Sequence, residues 1–157
     1  MNVSELLEEL EINFRTLEHA AVYTVEESRQ LKIFEKLGGQ ACKNLFLRTK
    51  HGEFYLLTLQ ADKRADLKLV AKNLGLPRLS FASEAELEQI LGLKSGAVTP
   101  LGIINDANKK VRLIIDAELQ GKTLLLHPNR NTATIALAFE DLLKIIRHTA
   151  HEYLIID

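Results

Sequence analysis

Apolar and polar residues repeat along the chain with the two-residue period of strands in some segments and the helical period in others. Two apolar, β-prone runs, 41–48 and 54–59, enclose the polar turn 49–52, a pattern that predicts a β-hairpin. Other short apolar runs bounded by turn residues predict strands at 12–17, 79–81, 111–116, 124–126, 132–137 and 153–156.

Helical periodicity predicts helices over 4–10, 24–37, 66–74, 83–91 and 139–148. Ser4 is the expected cap of the first helix, and Thr24 and Ser83 each precede a glutamate at capping-box spacing. Strands and helices interleave without strict βαβ regularity. The expected fold is therefore α+β, a mixed β-sheet flanked by helices, in a single domain over 1–157.

The amino-acid composition bears on whether the protein binds nucleic acids or membranes. The 157 residues are 46% hydrophobic and 26% charged, as in soluble globular proteins. With 20 Lys+Arg against 21 Asp+Glu, the chain has no global basic field, so DNA is not an expected partner and any RNA contact must be local. No apolar run approaches the roughly 18 residues of a membrane span, and the start lacks a signal-peptide pattern, so a cytoplasmic protein without a membrane partner is expected.

The sequence gives little support for a cysteine nucleophile or for a histidine metal site. Cys42 is the single cysteine, which suits a reducing compartment, and a buried inert thiol is favoured over a nucleophile because the neighbouring Lys43 should point to the opposite strand face. His148 and His151 could share a helix face as metal ligands, but no further Cys/His cluster completes a site. No metal is therefore expected. The glycines fit the spacing of neither common phosphate-binding loop, so no nucleotide cofactor is expected either.

Three polar features interrupt the apolar pattern. Lys43 and Asn44 stand where a buried strand should already be apolar; on position alone, a lysine extending to solvent is the favoured interpretation. His127 closes an apolar strand, where side chains often reach a cleft edge, although a lone histidine there is more often a structural hydrogen-bonding group. The loop 96–102 offers successive backbone N–H groups that could bind a carbonyl oxygen or its oxyanion, although it could equally be a simple connection.

In order along the chain, these segments resemble the YbaK/ProX-type prolyl-tRNA editing family, related to the editing insertion of bacterial prolyl-tRNA synthetase. The resemblance spans roughly residues 10–150 and is carried by Glu18-His19, Val22-Tyr23-Thr24, Cys42 to Arg48, Leu79 to Ser83, Gly96 to Gly102, His127-Pro128 and Asn131-Thr132. The Cys-Lys-Asn-Leu-Phe-Leu run and the Val-Thr-Pro loop are more similar to the ProX branch, associated with alanyl-tRNA(Pro), than to the YbaK branch, associated with cysteinyl-tRNA(Pro).

The resemblance implies hydrolysis of the ester that joins a wrong amino acid to the terminal adenosine of tRNA, without metal or nucleotide cofactor. It reverses the interpretation of Lys43, which would contact the tRNA end, and it gives Lys43, Gly96 and His127 catalytic roles. The implied substrate-binding residues are Asn44, Ala97, Val98, Thr99, Pro100, Gly102 and Asn131. The implied partners are the acceptor end of tRNA(Pro) and, transiently, prolyl-tRNA synthetase.

Other functions stay open at this point. The protein could remove cysteine from tRNA(Pro) instead, or it could be a binding module that keeps the pocket and hydrolyses nothing. A metal-dependent hydrolase is a further alternative. Because no Ser-His-Asp triad or carboxylate pair is evident, water attack assisted by the substrate's own ribose hydroxyl is the expected mechanism, which asks the protein mainly for orientation and electrostatics.

Overall fold

The computed structural model describes residues 2–157. Its α-helices are α1 (Val3–Glu9), α2 (Val25–Gln30), α3 (Ile33–Leu37), α4 (Leu67–Leu74), α5 (Glu84–Leu91) and α6 (Phe139–His148). Its strands are β1 (Arg15–Glu18), β2 (Gln40–Arg48), β3 (Phe54–Gln60), β4 (Ser80–Phe81), β5 (Val111–Asp116), β6 (Thr123–Leu126), β7 (Ala133–Ala138) and β8 (Tyr153–Ile156). Short 3-10 helices cover Ser95–Ala97, Pro100–Asn105 and Ala117–Leu119.

The strands form one mixed sheet in the order β1-β7-β6-β2-β3-β5-β8, with β4 added beside β2. The pairs β2–β3, β2–β4, β6–β7 and β1–β7 are antiparallel, whereas β2–β6, β3–β5 and β5–β8 are parallel. Strand β2 lies at the centre and contacts three other strands. The expected mixed sheet with flanking helices is confirmed.

Both faces of the sheet are covered, which explains why β3 and β6 are apolar at most positions. On one face, side chains of α1, α5 and α6 pack with alternate residues such as Leu56 and Leu124. On the other face, α4 covers Leu57, and α3 covers Leu125. Neighbouring residues in β3 and β6 therefore belong to cores on opposite sides.

Most predicted elements are confirmed. The hairpin pairs β2 with β3 from Cys42 opposite Gln60 to Arg48 opposite Phe54. Helix α5 has the full capping box of Ser83 and Glu86, because the Ser83 hydroxyl accepts from the Glu86 N–H at 3.1 Å. The helix at 139–148 and the strand at 153–156 lie where the sequence places them.

The predictions at the N-terminus are wrong in detail. Asn2, not Ser4, caps α1: its side chain accepts from the Glu5 N–H at 2.8 Å, and the Glu5 carboxylate accepts from the Asn2 N–H. The first strand is also later than the predicted 12–17, since Ile12 is buried in the core and its N–H donates to the Leu7 carbonyl. Burial of Ile12 by α1 thus removes it from the sheet.

The single helix predicted over 24–37 is two helices. Lys32 has φ = 56°, a left-handed conformation that ends α2 and starts α3 in a new direction. The break lets Ile33 and Leu37 reach the core beside Leu125, while Thr24 caps α2 as predicted. Helix α2 thereby lies beside a pocket that Val25 and Ser28 help to line.

Candidate active site

The candidate site lies where β2 and β6 separate. The start of β2 pairs with β6 at 40–41, and its end pairs with β4 at 47–48 on the same edge. Among the described residues, 42–45 have no strand partner on that edge. The Phe46 carbonyl accepts from the Ala82 N–H there, so the Asn44 peptide, two residues earlier, faces the same opening.

This opening is a pocket of about 160 Å³, which we call the strand-gap pocket. It is lined by Val22, Tyr23, Thr24, Val25, Ser28, Phe34, Cys42, Lys43, Asn44, Ser95, Gly96, Val98, Leu125, Leu126, His127 and Thr134. A hollow of this size accepts a group about as large as benzene, so it can hold an amino-acid side chain but not a nucleoside as well. Apolar side chains form its walls, and a few polar groups converge on it.

Lys43 and Asn44 line the pocket together because it opens at the edge of β2 rather than at one face. Thr58, which is fully buried, donates its hydroxyl proton to Asn44 Oδ1 at 2.7 Å. This bond fixes the amide and leaves Nδ2 as its available donor. Neither Asn44 Nδ2 nor the Lys43 ammonium bonds to another group within residues 2–157.

The opposite side of the pocket is the 3-10 turn Ser95–Ala97. The backbone N–H groups of Gly96 and Val98 have no acceptor in the described part of the chain, whereas the Ala97 N–H donates to the Lys94 carbonyl at 2.9 Å. A Cβ on Gly96 would lie 2.7 Å from Tyr23 Cδ1 and 2.9 Å from Asn131 Nδ2. Glycine is therefore required for the loop to approach these two side chains, and the free N–H groups form a small donor array.

Several residues that the resemblance implies as substrate contacts lie behind this loop. Ala97, Thr99, Pro100 and Gly102 are buried and do not line the strand-gap pocket. Thr99 accepts from the Leu101 N–H through its side chain, which holds the loop. Their roles in substrate binding stay predictions, and the structure places them as supports.

Gly102 and Asn131 show what that support consists of. A Cβ on Gly102 would lie 2.6 Å from Leu93 Cδ1 in the core. Asn131 donates from Nδ2 to the Val22 carbonyl at 2.9 Å, and the Val22 N–H donates to the Asn131 carbonyl. Asn131 thereby joins the segment before α2 to the loop after β6. Its contact with substrate also stays a prediction.

His127 follows the last residue of β6 and contributes its ring to the pocket. Its Nδ1 lies 2.9 Å from the Ala133 carbonyl, which can only accept, so Nδ1 carries the proton. Burial lowers the pKa of His127; the Ala133 bond opposes this effect, and the nearby His19 adds to it. The ring is therefore neutral near pH 7, and Nε2 is an acceptor that no group of residues 2–157 occupies.

A second histidine, His19, lies beside His127. The His19 ring lies 6.5 Å from the His127 ring, and its Nδ1 donates to the Ala20 carbonyl at 2.8 Å. His19 Nε2 then accepts from the hydroxyl of the buried Thr134 at 2.8 Å. Residue-by-residue inspection of the sequence misses Thr134, Tyr23 and Val25 as pocket residues, because only the pairing of β1 with β7 and the break at Lys32 bring them there.

The structure argues against Cys42 as a nucleophile and against His148 and His151 as joint metal ligands. Cys42 lines the pocket as a free thiol, and burial raises its pKa to about 12, so it is protonated near pH 7 and a poor nucleophile. His148 is exposed while His151 is buried against Asp106 at 3.0 Å, so the two do not face a common site. Residues 2–157 contain no group of three or more His, Cys, Asp or Glu able to hold a metal ion. None of their helices is long and apolar enough to cross a membrane.

The site is thus a small pocket, at a gap in a mixed sheet, that combines a lysine cation, backbone N–H donors and a neutral imidazole. Residues 19–145 match the aminoacyl-tRNA editing domain family, and the chain belongs to that family. The predicted class, an aminoacyl-tRNA hydrolase, is confirmed at that level.

Particular relatives refine this placement. The chain is 40% identical to the prolyl-tRNA editing protein ProX of Acetoanaerobium sticklandii over 149 residues, 94% of this chain and 90% of that protein. It is 31% identical over 114 residues to the multifunctional Ser/Thr-tRNA deacylase ProXp-y of Escherichia coli K12, covering 71% and 65% of the two chains. A solved structure of a hypothetical protein superposes with a TM-score of 0.74 at 19% identity over 96% of this chain and 95% of that one, which shows the fold.

Proposed function

We propose that this protein hydrolyses the ester of mischarged tRNA(Pro), with alanyl-tRNA(Pro) as its substrate. The observation that carries the proposal is the strand-gap pocket, whose small volume is joined to Lys43, the Gly96 N–H and His127. The similarity to an editing protein named for prolyl-tRNA supports the choice of tRNA.

The apolar walls of the pocket support selection by exclusion. Proline presents more apolar surface than alanine, and each buried methylene contributes roughly 0.8 kcal/mol, so attraction alone would favour proline. The volume of about 160 Å³ would by itself admit this ring, so proline must be rejected by the shape that walls such as Val25 and Leu125 give the pocket. Alanine enters, serine enters less favourably because its hydroxyl is desolvated, and proline is spared.

The polar groups suit the charge that develops during hydrolysis. When water attacks the ester carbonyl, negative charge forms on the carbonyl oxygen. The free N–H groups of Gly96 and Val98 and the Lys43 ammonium line the pocket in which that oxygen would lie. Asn44, fixed by Thr58, is the natural donor to a ribose oxygen at the pocket mouth.

His127 contributes an acceptor. With its proton held on Nδ1 by Ala133, Nε2 can accept a hydrogen bond from a donor at the reacting centre, the substrate ammonium or the attacking water. The neighbouring ribose hydroxyl of the substrate orients that water. The water oxygen bonds to the carbonyl carbon, the bond to the ribose oxygen breaks, and the ribose oxygen gains the proton that water loses.

The test is a single-turnover deacylation assay of the purified protein on tRNA(Pro) charged with alanine, serine, cysteine or proline. The proposal expects the fastest release for alanine, slower release for serine, slower release for cysteine than for alanine, and almost none for proline. Faster release of cysteine would assign the protein to cysteinyl-tRNA(Pro), and rapid release of proline would refute editing. Binding of all four without hydrolysis would identify a non-catalytic module.

A further inference from the structure

A second hollow adjoins the strand-gap pocket, on the side of β4. This hollow, which we call the Phe81 groove, has a volume of about 260 Å³ and is lined by Asn44, Leu45, Phe46, Phe81, Ala82, Ser83, Glu84, Leu87, Ser95 and Val98. It shares Asn44, Ser95 and Val98 with the strand-gap pocket. A ligand held in one can therefore continue directly into the other.

An exposed aromatic side chain dominates the Phe81 groove. Phe81 is 64% exposed, although phenylalanine is usually among the most buried residue types. Its backbone is fixed: Phe81 pairs with Leu47 in the sheet, and the Ala82 N–H donates to the Phe46 carbonyl at 3.0 Å. The capping box of α5 begins two residues later. Phe81 is thus an exposed ring on a rigid support.

The charges around the groove favour a neutral ring over a phosphate. The N-terminus of α5 would attract an anion, but Glu84 and Glu86 already lie in its first turn. The bond from the Ser83 N–H, at 2.9 Å, and the Arg48 cation lower the pKa of Glu86, which is therefore ionised at neutral pH. A phosphate placed here would meet two carboxylates.

We propose that the Phe81 groove binds the adenine base of the terminal nucleoside of the aminoacyl-tRNA, stacked on the Phe81 ring. This inference rests on the proposed function: the amino acid occupies the strand-gap pocket, which is too small for a nucleoside. The ribose then lies at the shared wall, where Asn44 Nδ2 is free to donate. Stacking on an aromatic side chain is the usual way in which proteins hold an unpaired base.

The experiment compares two small esters: 2′(3′)-O-alanyladenosine, and the alanyl ester of methyl riboside, which has the same ester but no base. For the wild-type protein, kcat/KM should be about tenfold or more higher for the adenosine ester. Phe81→Ala should remove this preference by raising KM for the adenosine ester alone. Phe81→Trp keeps an aromatic ring at this position and should retain the preference. The control is Leu69→Ala, which removes a 52% exposed apolar side chain outside both hollows and should leave the preference unchanged.

Other outcomes have distinct meanings. If Phe81→Ala slows both esters equally, Phe81 only supports the fold and the proposal is wrong. Tyr23 is the other exposed aromatic residue and lines the strand-gap pocket. If Tyr23→Ala removes the preference while Phe81→Ala does not, the base does not stack on Phe81 and the proposal is also wrong. Failure of the wild-type protein to hydrolyse either ester or alanyl-tRNA(Pro) would instead overturn the proposed function.

Discussion

Replacement of Gly96 by alanine tests the donor loop with the smallest possible change. The new Cβ would lie 2.7 and 2.9 Å from two carbons of the Tyr23 ring and 2.9 Å from Asn131 Nδ2, closer than van der Waals contact allows. The Tyr23 ring is 69% exposed and can turn away, so the stability cost should be small. The contact with Asn131, whose amide is bonded to the Val22 carbonyl, remains, so the loop must shift relative to Lys43 and the two free N–H groups shift with it.

The expected effect on rate is therefore larger than the effect on stability. Strain in the Asn131–Val22 bond costs about 0.5–1.5 kcal/mol at most. Loss of an oxyanion donor costs on the order of a hundredfold or more in kcat, and a displaced donor should cost at least about tenfold. Tyr23→Ala removes two of the three close contacts, so it should partly restore the rate of Gly96→Ala.

Gly102→Ala is the matched comparison in the same loop. Its Cβ would lie 2.6 Å from Leu93 Cδ1, and Leu93 is 1% exposed and cannot move aside. Overpacking of this kind costs about 1–3 kcal/mol, which lowers Tm by roughly 2–4 °C for each kcal/mol in a domain of this size.

Thermal unfolding and single-turnover deacylation of alanyl-tRNA(Pro) would be measured for both variants. We expect Gly96→Ala to lose rate with little change in Tm, and Gly102→Ala to lose Tm with little change in the rate of the folded protein. Equal rates for wild type and Gly96→Ala would refute the donor role of the loop. Rescue by Tyr23→Ala separates a steric cause from a direct loss of binding.

Three further predictions concern single residues of the pocket. Lys43→Ala should reduce kcat strongly with an unchanged Tm, and Lys43→Arg should not restore it fully, because a planar guanidinium differs from a compact ammonium; full activity in a folded Lys43→Ala protein would contradict its assignment. Since burial lowers the pKa of His127, the rate should hold below pH 6.5 and fall only as pH drops through the folded pKa, and His127→Asn should abolish this inflection in the pH–rate profile. Cys42→Ser should keep most activity, because the thiol with its pKa of about 12 is not the nucleophile; a loss as large as for Lys43→Ala would show otherwise.

The sequence predicts those elements whose local signals agree with their packing. Capping boxes and stop glycines fix α5, and the turn between two apolar runs fixes the hairpin. Errors arise where tertiary contacts override such signals. Ile12 leaves its predicted strand to fill the core beside α1, and Lys32 adopts a left-handed conformation so that α3 can bury Ile33.

Some residues of the candidate site can likewise be predicted from the sequence, and others cannot. Lys43, Asn44 and His127 stand out in the sequence because they are polar residues in apolar runs, and all three line one pocket. Thr134 lies inside an apolar run and Thr58 inside another, and nothing local distinguishes them from other strand threonines. Their roles depend on His19, which directly follows β1, and on Asn44, which lies opposite Thr58, and only the pairing of the strands reveals these neighbours.

The proposed function requires the strand-gap pocket to hold the amino acid and to exclude proline by the shape of its walls. The most direct measurement is the ratio of single-turnover rates on alanyl-tRNA(Pro) and prolyl-tRNA(Pro), compared between wild type and Val25→Ala. Val25 is partly buried in the first turn of α2, and alanine there preserves the helix while widening the pocket. We expect proline release to rise about tenfold or more in the variant while alanine release changes little. An unchanged ratio in a folded variant would contradict exclusion by shape.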